Sequence, residues 1–280
     1  MKKPGDSQTS PHLTYMRIPY YQVDAFTART FGGNPAGVCV LESWLPDDIL
    51  QRVAAENSFA ETAFFTRQAD DSFHLRWFTP VLEMDLCGHA TLASAFVLYA
   101  ELGHAGCCIR FHTRSGWLMA ERNGDIIELD FPARMPAPCA APDELLRGLG
   151  HKPREVLKAR DFLAVYDSQA EVAALTPDMA LLARLDCLGV IVTARGEDAD
   201  FVSRFFAPRA GVPEDPVTGS AHCSLIPFWA ERLGKTEMLA RQISRRGGEL
   251  YCRLIGERVG IGGRAVIYCR GEIEILCSSK

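Results

Sequence analysis

The chain repeats itself. Arg76-Trp77-Phe78-Thr79-Pro80 leads through a loop to Gly88-His89-Ala90, and Arg204-Phe205-Phe206-Ala207-Pro208 leads through a loop to Gly219-Ser220-Ala221. From each glycine, fifteen residues of apolar, helix-forming sequence run to Leu102-Gly103 and to Leu233-Gly234, the pattern of a helix closed by a C-terminal glycine. An offset of 131 residues relates the two glycines and also sets Pro46-Asp47 against Pro177-Asp178. Each of the latter opens a helical stretch, Asp47 to Glu56 and Asp178 to Leu185, ahead of the β-branched or aromatic runs Thr62 to Thr66 and Val190 to Thr193. Several matches at one or nearly one spacing read as an internal duplication, which constrains the fold more than any single motif does. The halves must build the same elements and pack against each other.

Strand patterns fill out both halves. Gln22 to Phe26, Gly37 to Leu41, His74 to Phe78, Cys108 to His112 and Ile126 to Phe131 are the expected strands of the first. Phe162 to Tyr166, Val190 to Thr193, Phe201 to Phe206, Val259 to Ile261 and Ala265 to Cys269 are those of the second. Periodicity breaks between Pro132 and Pro142, where four prolines and a run of alanines mark the boundary. The expected architecture is α+β or α/β in two similar lobes.

Composition limits what such a fold can serve. With 48% apolar and 23% charged residues, the 280-residue chain is ordinary globular sequence, enough for two domains at ~150 residues each or one large one. Thirty Lys and Arg against thirty-five Asp and Glu leave a net charge of −5 without long single-sign runs, so no nucleic-acid partner is expected. No apolar run approaches the ~20 residues of a membrane helix, and no membrane partner is expected either. Residues 1–14 read as a flexible polar arm, with basic residues but no apolar stretch of a secretory signal. Ten cysteines are too sparse for a disulfide scaffold and include no C-x-x-C pair. The reading is a reduced, cytoplasmic chain with no metal site.

A helix that begins at glycine leaves its first N–H groups bare at the positive end of its dipole, a ready-made anion site. If a pseudo-twofold relates the lobes, the two helix mouths face each other and can hold a small carboxylate or enolate from both sides. Glycine there equally serves tight packing of helix on sheet. The flanking Asp85-Leu86-Cys87-Gly88-His89-Ala90-Thr91 and Glu214-Asp215-Pro216-Val217-Thr218-Gly219-Ser220 place titratable or hydroxyl side chains at both mouths. Asp85, Thr218 and Ser220 also fit as helix caps, whereas His89 in a first turn is harder to explain that way. Glu61 is a single acid in the apolar stretch Asn57 to Phe65. Burial would raise its pKa and suit it to carry a proton near neutral pH, and an ordinary exposed glutamate at the start of a strand would look the same. Phe59, Trp77, Met84 and Phe206 are candidate pocket walls.

These residues fall into an ordered set. Val23-Asp24-Ala25-Phe26, Phe31-Gly32-Gly33-Asn34-Pro35-Ala36-Gly37-Val38, Ala60-Glu61-Thr62-Ala63-Phe64, Leu86-Cys87-Gly88-His89-Ala90-Thr91 and Glu214-Asp215-Pro216-Val217-Thr218-Gly219-Ser220-Ala221-His222 occur in turn, followed by Gln242 to Gly248 and Val259 to Gly263. Over residues 16–275 the chain resembles the phenazine-biosynthesis isomerase-like (PhzF-like) family. The resemblance implies the diaminopimelate epimerase fold: two pseudo-symmetric lobes, each a sheet curled round a central helix, with the active site between them. With the boundary at the proline-rich break the lobes are expected at 15–133 and 134–270, and the resemblance implies a last strand near Glu272 to Leu276 crossing back so that 271–280 joins the first. It further implies that Glu61 moves a proton between carbons of a cyclic substrate. His89 and Asp215 would assist as catalytic partners, and Gly88, Thr218, Gly219 and Ser220 would grip the substrate carboxylate. No metal or organic cofactor is implied, and a homodimer is the common assembly.

Two-base epimerases and racemases of this architecture place a cysteine at each helix mouth. Here Cys87 precedes Gly88, but Thr218 precedes Gly219, and Cys223 lies a turn inside the helix. A two-thiol mechanism is disfavoured, and Cys87 reads as a small buried residue. The candidate functions are a cofactor-independent isomerase using Glu61, an epimerase or racemase of an amino-acid-like substrate with another second base, and a non-catalytic binding protein of the same fold.

Overall fold

The computed structural model describes residues 14–277, so the expected arm lies outside them except for Thr14. The first half contains β1 (Thr14–Ala25), β2 (Asn34–Leu41), α1 (Asp47–Asn57), β3 (Thr62–Arg67), β4 (Phe73–Phe78), β5 (Glu83–Met84), α2 (Gly88–Ala100), β6 (Cys108–Thr113), β7 (Gly116–Asn123) and β8 (Ile126–Pro132). The second contains β9 (Ala137–Pro138), α3 (Asp143–Leu149), β10 (Glu155–Lys158), β11 (Phe162–Val165), α4 (Gln169–Ala174), α5 (Met179–Leu182), β12 (Val190–Arg195), β13 (Phe201–Ala207), β14 (Val212–Asp215), α6 (Gly219–Leu233), β15 (Glu237–Gln242), β16 (Gly248–Ile255), β17 (Arg258–Gly263) and β18 (Ala265–Cys277).

Strand pairing carries the duplication. In the first half β2 runs parallel to β3, β3 antiparallel to β4 and β4 parallel to β6, which continues as the antiparallel meander β6–β7–β8. In the second, β11, β12, β13 and β15 repeat the parallel, antiparallel, parallel order, and β15–β16–β17 repeat the meander. The last strand of the chain crosses to the first half, while β9 stays with the second. β9 pairs with β10, and β18 pairs along its length with β1. β8 and β17 lie antiparallel, Leu129 opposite Ile261, and join the two sheets into one.

Two spacings, rather than one, describe the repeat. Strands ahead of the long helix recur at 128 residues (Asn34 to Phe162, Thr62 to Val190, Phe73 to Phe201), while the helix recurs at 131 (Gly88 to Gly219). The loop into α6 is the longer one and holds a short 3₁₀ turn at Pro208–Ala210.

Each curled sheet closes on a helix that is apolar nearly all round, the signature of a helix buried on every side. In α2 every residue from Gly88 to Ala95 is buried, and α6 is buried from Ala221 to Ala230. A main core surrounds both helices, and smaller apolar clusters lie under α1 and under α3–α5. Trp77 belongs to the main core and Phe206 to the cluster under α3–α5, so neither is a pocket wall.

The expected helix Asp178–Leu185 shrinks to Met179–Leu182. The Asp178 carboxylate caps the N–H groups of Ala180 and Leu181, and the following N–H groups of Arg184 and Leu185 bond three residues back, tightening the turn to 3₁₀. α2 ends at Ala100, where the Glu101 and Leu102 N–H groups share the Val97 carbonyl, and Gly103 follows with φ 68°. β7 escapes the sequence pattern because only Leu118 and Ala120 of its eight residues are buried.

Phe26 stands at the hub. It is fully buried at φ 62°, in the left-handed region that L-residues rarely occupy, and its ring approaches Gly219. A methyl on Gly263 would lie 2.4 Å from the Phe26 ring, which has no room to retreat. Gly263→Ala is expected to destabilise the fold by about 1–3 kcal/mol through overpacking. Urea unfolding checks this; an unchanged midpoint would show that the hub is loosely packed.

Candidate active site

The α2 and α6 N-termini meet backbone to backbone. A methyl placed on Gly88 would sit 3.4 Å from the Gly219 Cα, and one on Gly219 would sit 3.5 Å from the Gly88 Cα. A methyl at either position would be in ordinary van der Waals contact with the opposite backbone, so the two helix ends are in close apposition. Neither helix uses a side-chain cap. Among the described residues the N–H groups of Gly88, His89, Gly219 and Ser220 have no partner. Four donors at two positive helix ends therefore converge on one place, a setting that favours a carboxylate.

Glu61, just ahead of β3, reaches this place. Its side chain is 16% exposed, and its Oε2 lies 3.3 Å from His89 Nε2. The contact is off the hydrogen-bonding direction, and Nε2 has no hydrogen-bond partner. Burial first, and then the Asp215 charge, push the Glu61 carboxyl up to about 8, against a weaker opposing hydrogen bond from Cys87. Glu61 is thus a neutral acid at pH 7. Burial pushes His89 down to about 3, so its imidazole is neutral too.

Asp215 ends β14 on the opposite lobe. Its Oδ2 accepts a 2.5 Å hydrogen bond from Thr218 and its Oδ1 a 2.9 Å bond from Asn34. Burial raises its carboxyl to about 6 against these two bonds. Gln242 locks the loop from behind, accepting from the Thr218 N–H and donating to the Asp215 carbonyl. Arg160 donates to the Ser220 hydroxyl at 3.0 Å while anchored on the buried Asp161, which places a cation beside the α6 mouth.

Of the expected site residues, Glu61, His89, Gly88, Asp215, Thr218, Gly219 and Ser220 come together here. Asp85 does not; it is exposed and paired with Arg114. Asn34, Gln242 and Arg160 were not singled out from sequence. Asn34 opens β2, where the Arg246 guanidinium binds Asp24 and the Gly32 and Gly33 carbonyls, pinning the preceding loop to the other lobe.

Glu61, Cys87 and His89 place one donor atom each within 4.8 Å of one another. A metal there would need a thiolate, and burial with the neighbouring Glu61 holds the Cys87 thiol well above its usual pKa. The same shift keeps the Cys87 thiol protonated at neutral pH. Cys223, the other cysteine near a mouth, is buried and pushed up to about 11.

The sequence profile described as phenazine biosynthesis-like protein matches residues 23–271. The chain belongs to the phenazine biosynthesis-like family. A protein of Pseudomonas aeruginosa named an uncharacterized isomerase is 53% identical to this family member over 93% of this chain and 100% of its own. The human phenazine biosynthesis-like domain-containing protein is 38% identical over 92% and 99%. The crystal structure of a PhzF family protein from Enterococcus faecalis superposes with a TM-score of 0.90 at 46% identity, covering 92% of this chain and 99% of that one. A hydroxyproline epimerase of Agrobacterium vitis shares the fold, with a TM-score of 0.61 at 13% identity. The fold is thus the α+β, two-lobed, epimerase-like one. Among the described residues, no helix is long and apolar enough to cross a membrane.

The buried acids make this family member's stability depend on pH in a signed way. Folded Glu61 keeps its proton to about 8 while the unfolded chain releases it near 4.5, so stability falls as pH rises across that window. Asp215 acts in the same sense between 3.8 and about 6. His89 and His222, pushed down to about 3 and about 4, act oppositely, and their contribution is lost as pH falls below 6.5. The melting temperature of Glu61→Gln should therefore exceed that of wild type by a margin that widens between about pH 5 and pH 8 and then levels off. Thermal melts at several pH values check this; a constant margin would mean that Glu61 titrates normally.

Proposed function

We propose that this protein is a cofactor-independent isomerase that moves a proton within a small carboxylate-bearing substrate, with Glu61 as the acid/base. The observation that carries the reading is the Glu61 carboxyl, buried beside His89 where the two helix mouths converge. The substrate carboxylate sits against the N–H groups of Gly88, Gly219 and Ser220, with Thr218 shaping the α6 mouth. Its reacting carbons then lie against Glu61. On binding, the carboxyl gives its proton to one carbon and, as the resulting carboxylate, takes a proton from a second carbon on the same face, ending protonated as it began. One group can serve both steps because its raised pKa keeps acid and base forms close in energy near neutral pH.

His89 donates from Nε2 to oxygen on the substrate as charge develops. Asp215 lies across the Asn34 bridge and raises the Glu61 pKa by its charge. Isomerase chemistry accords with the names of the bacterial relatives, and the proton-carrier role of Glu61 accords with what the family resemblance implies. A two-base epimerase would need a second proton carrier on the opposite face, and a thiol cannot be it, since Thr218 occupies the position symmetric to Cys87.

The test is deuterium incorporation from D2O into a panel of unsaturated carboxylates, including cyclohexenecarboxylate and crotonate, followed by mass spectrometry. Wild type should label at least one compound without inverting a stereocentre. Glu61→Gln should lose the exchange by at least about 1,000-fold while still binding the labelled compound. Near-wild-type exchange in that variant would remove Glu61 from the chemistry. Cys87→Ala should retain exchange within about tenfold, and a loss beyond about 100-fold would restore a thiol mechanism. Inversion of a stereocentre during labelling would favour the epimerase.

A further inference from the structure

We propose that Asn34 is a positioning residue that dictates the tautomer of His89, and so determines that a proton rather than a lone pair faces Glu61 and the substrate. The inference rests on the reading of Glu61 as the proton carrier.

Asn34 is fully buried, and its Nδ2 lies 2.9 Å from Asp215 Oδ1, 2.9 Å from the Val217 carbonyl oxygen and 3.2 Å from His89 Nδ1. A carboxylate and a carbonyl can only accept, so this end of the amide is the NH2 group. The NH2 group has two hydrogens for these three neighbours and no lone pair to offer, so it disfavours a proton on Nδ1; the other neighbour of Nδ1, Cys87 Sγ at 3.6 Å, can donate to a lone pair there. The neutral ring has a single proton, which is thereby placed on Nε2, 3.3 Å from Glu61 Oε2. Because Nε2 makes no hydrogen bond within the protein, its N–H is the donor left for a substrate oxygen. In the other tautomer a lone pair would face that oxygen, and the hydrogen bond to it would be lost.

His222 provides an internal contrast. Its Nδ1 lies 2.9 Å from the Thr218 carbonyl oxygen, so its proton sits on Nδ1, the opposite tautomer. Two buried, neutral imidazoles at the two helix mouths thus hold their protons on different nitrogens, each dictated by the partner of Nδ1. Asn34 also ties the lobes together, and a purely mechanical strut would lower stability without touching the His89 ring.

The experiment is ¹⁵N NMR of histidine-labelled protein, with His89 and His222 assigned through His89→Gln and His222→Gln. Wild type should show His89 protonated on Nε2 and His222 on Nδ1. In the isosteric Asn34→Asp variant the carboxylate can share a proton with Asp215 and still accept from His89, so the His89 proton should move to Nδ1 while His222 stays as it was. Deuterium incorporation into the carboxylate labelled by wild type should fall about 100-fold, with its dissociation constant changed by less than about threefold. Asn34→Ala, which removes the donor without adding an acceptor, should retain more of the Nε2 tautomer than Asn34→Asp.

A wild-type His89 protonated on Nδ1 would overturn the proposal whether or not any variant folds. So would lost exchange with an unchanged tautomer, which would make Asn34 a strut, or unchanged exchange after inversion. Tautomers as expected, in a protein that labels no carboxylate, would instead overturn the proton-carrier reading of Glu61 and leave the assignment of the ring proton intact.

Discussion

The contact between Gly88 and Gly219 is the constraint on which the rest depends. Two buried helices from two lobes bring their N-termini together so closely that a methyl on either glycine would already touch the other's backbone. Each mouth carries roughly half a positive charge and uncapped N–H groups. The fold maintains this arrangement with a hub beneath it, in which Phe26 holds an unfavourable backbone conformation and Gly263 leaves space for its ring. The crossing of β18 to β1 and the β8–β17 seam make one continuous sheet of the two lobes, so backbone hydrogen bonds hold the lobes in register.

Around that contact the protein gathers polar groups and keeps them nearly uncharged. Desolvation raises both carboxyls and lowers both imidazoles, and the proximity of Glu61 to Asp215 raises the former further. Hydrogen bonds then decide which acid gives way. Asp215 accepts from Asn34 and Thr218, which stabilise its charge, whereas Glu61 has only the weaker Cys87 thiol. The two acids are therefore pushed apart in pKa by their neighbours, the condition under which one remains a proton reservoir and the other an anion.

Much of this was legible in the sequence, for identifiable reasons. The two glycine-initiated helices were plain because both are apolar throughout, and Glu61 stood out as an acid in an apolar run. Strands such as β6 and β8 were found, while β10, β15 and β16 were missed, and β7 was missed because only two of its side chains enter the core. Asp178 looked like the start of a two-turn helix, and only the structure shows its carboxylate capping a single turn. Trp77 and Phe206 looked like pocket walls because aromatic residues next to a loop give no indication of which way they face. Asn34 was quoted within a motif without a role. Its partners lie 55 and 181 residues away, and no local pattern records a hydrogen bond made across the lobes. Ser220 was flagged as a cap or a ligand residue, and its link to Arg160 could come only from the tertiary fold.

The central claim is that burial between the helix mouths makes Glu61 a neutral, proton-bearing acid at physiological pH. The direct measurement is ¹³C NMR of the side-chain carboxyls in protein labelled at glutamate Cδ, titrated from about pH 4 to pH 10. One resonance should titrate near 8 and be absent from Glu61→Gln, while exposed glutamates titrate near 4.5. If every glutamate titrates in the ordinary range, Glu61 is a charged group at pH 7 and the account of the site is wrong.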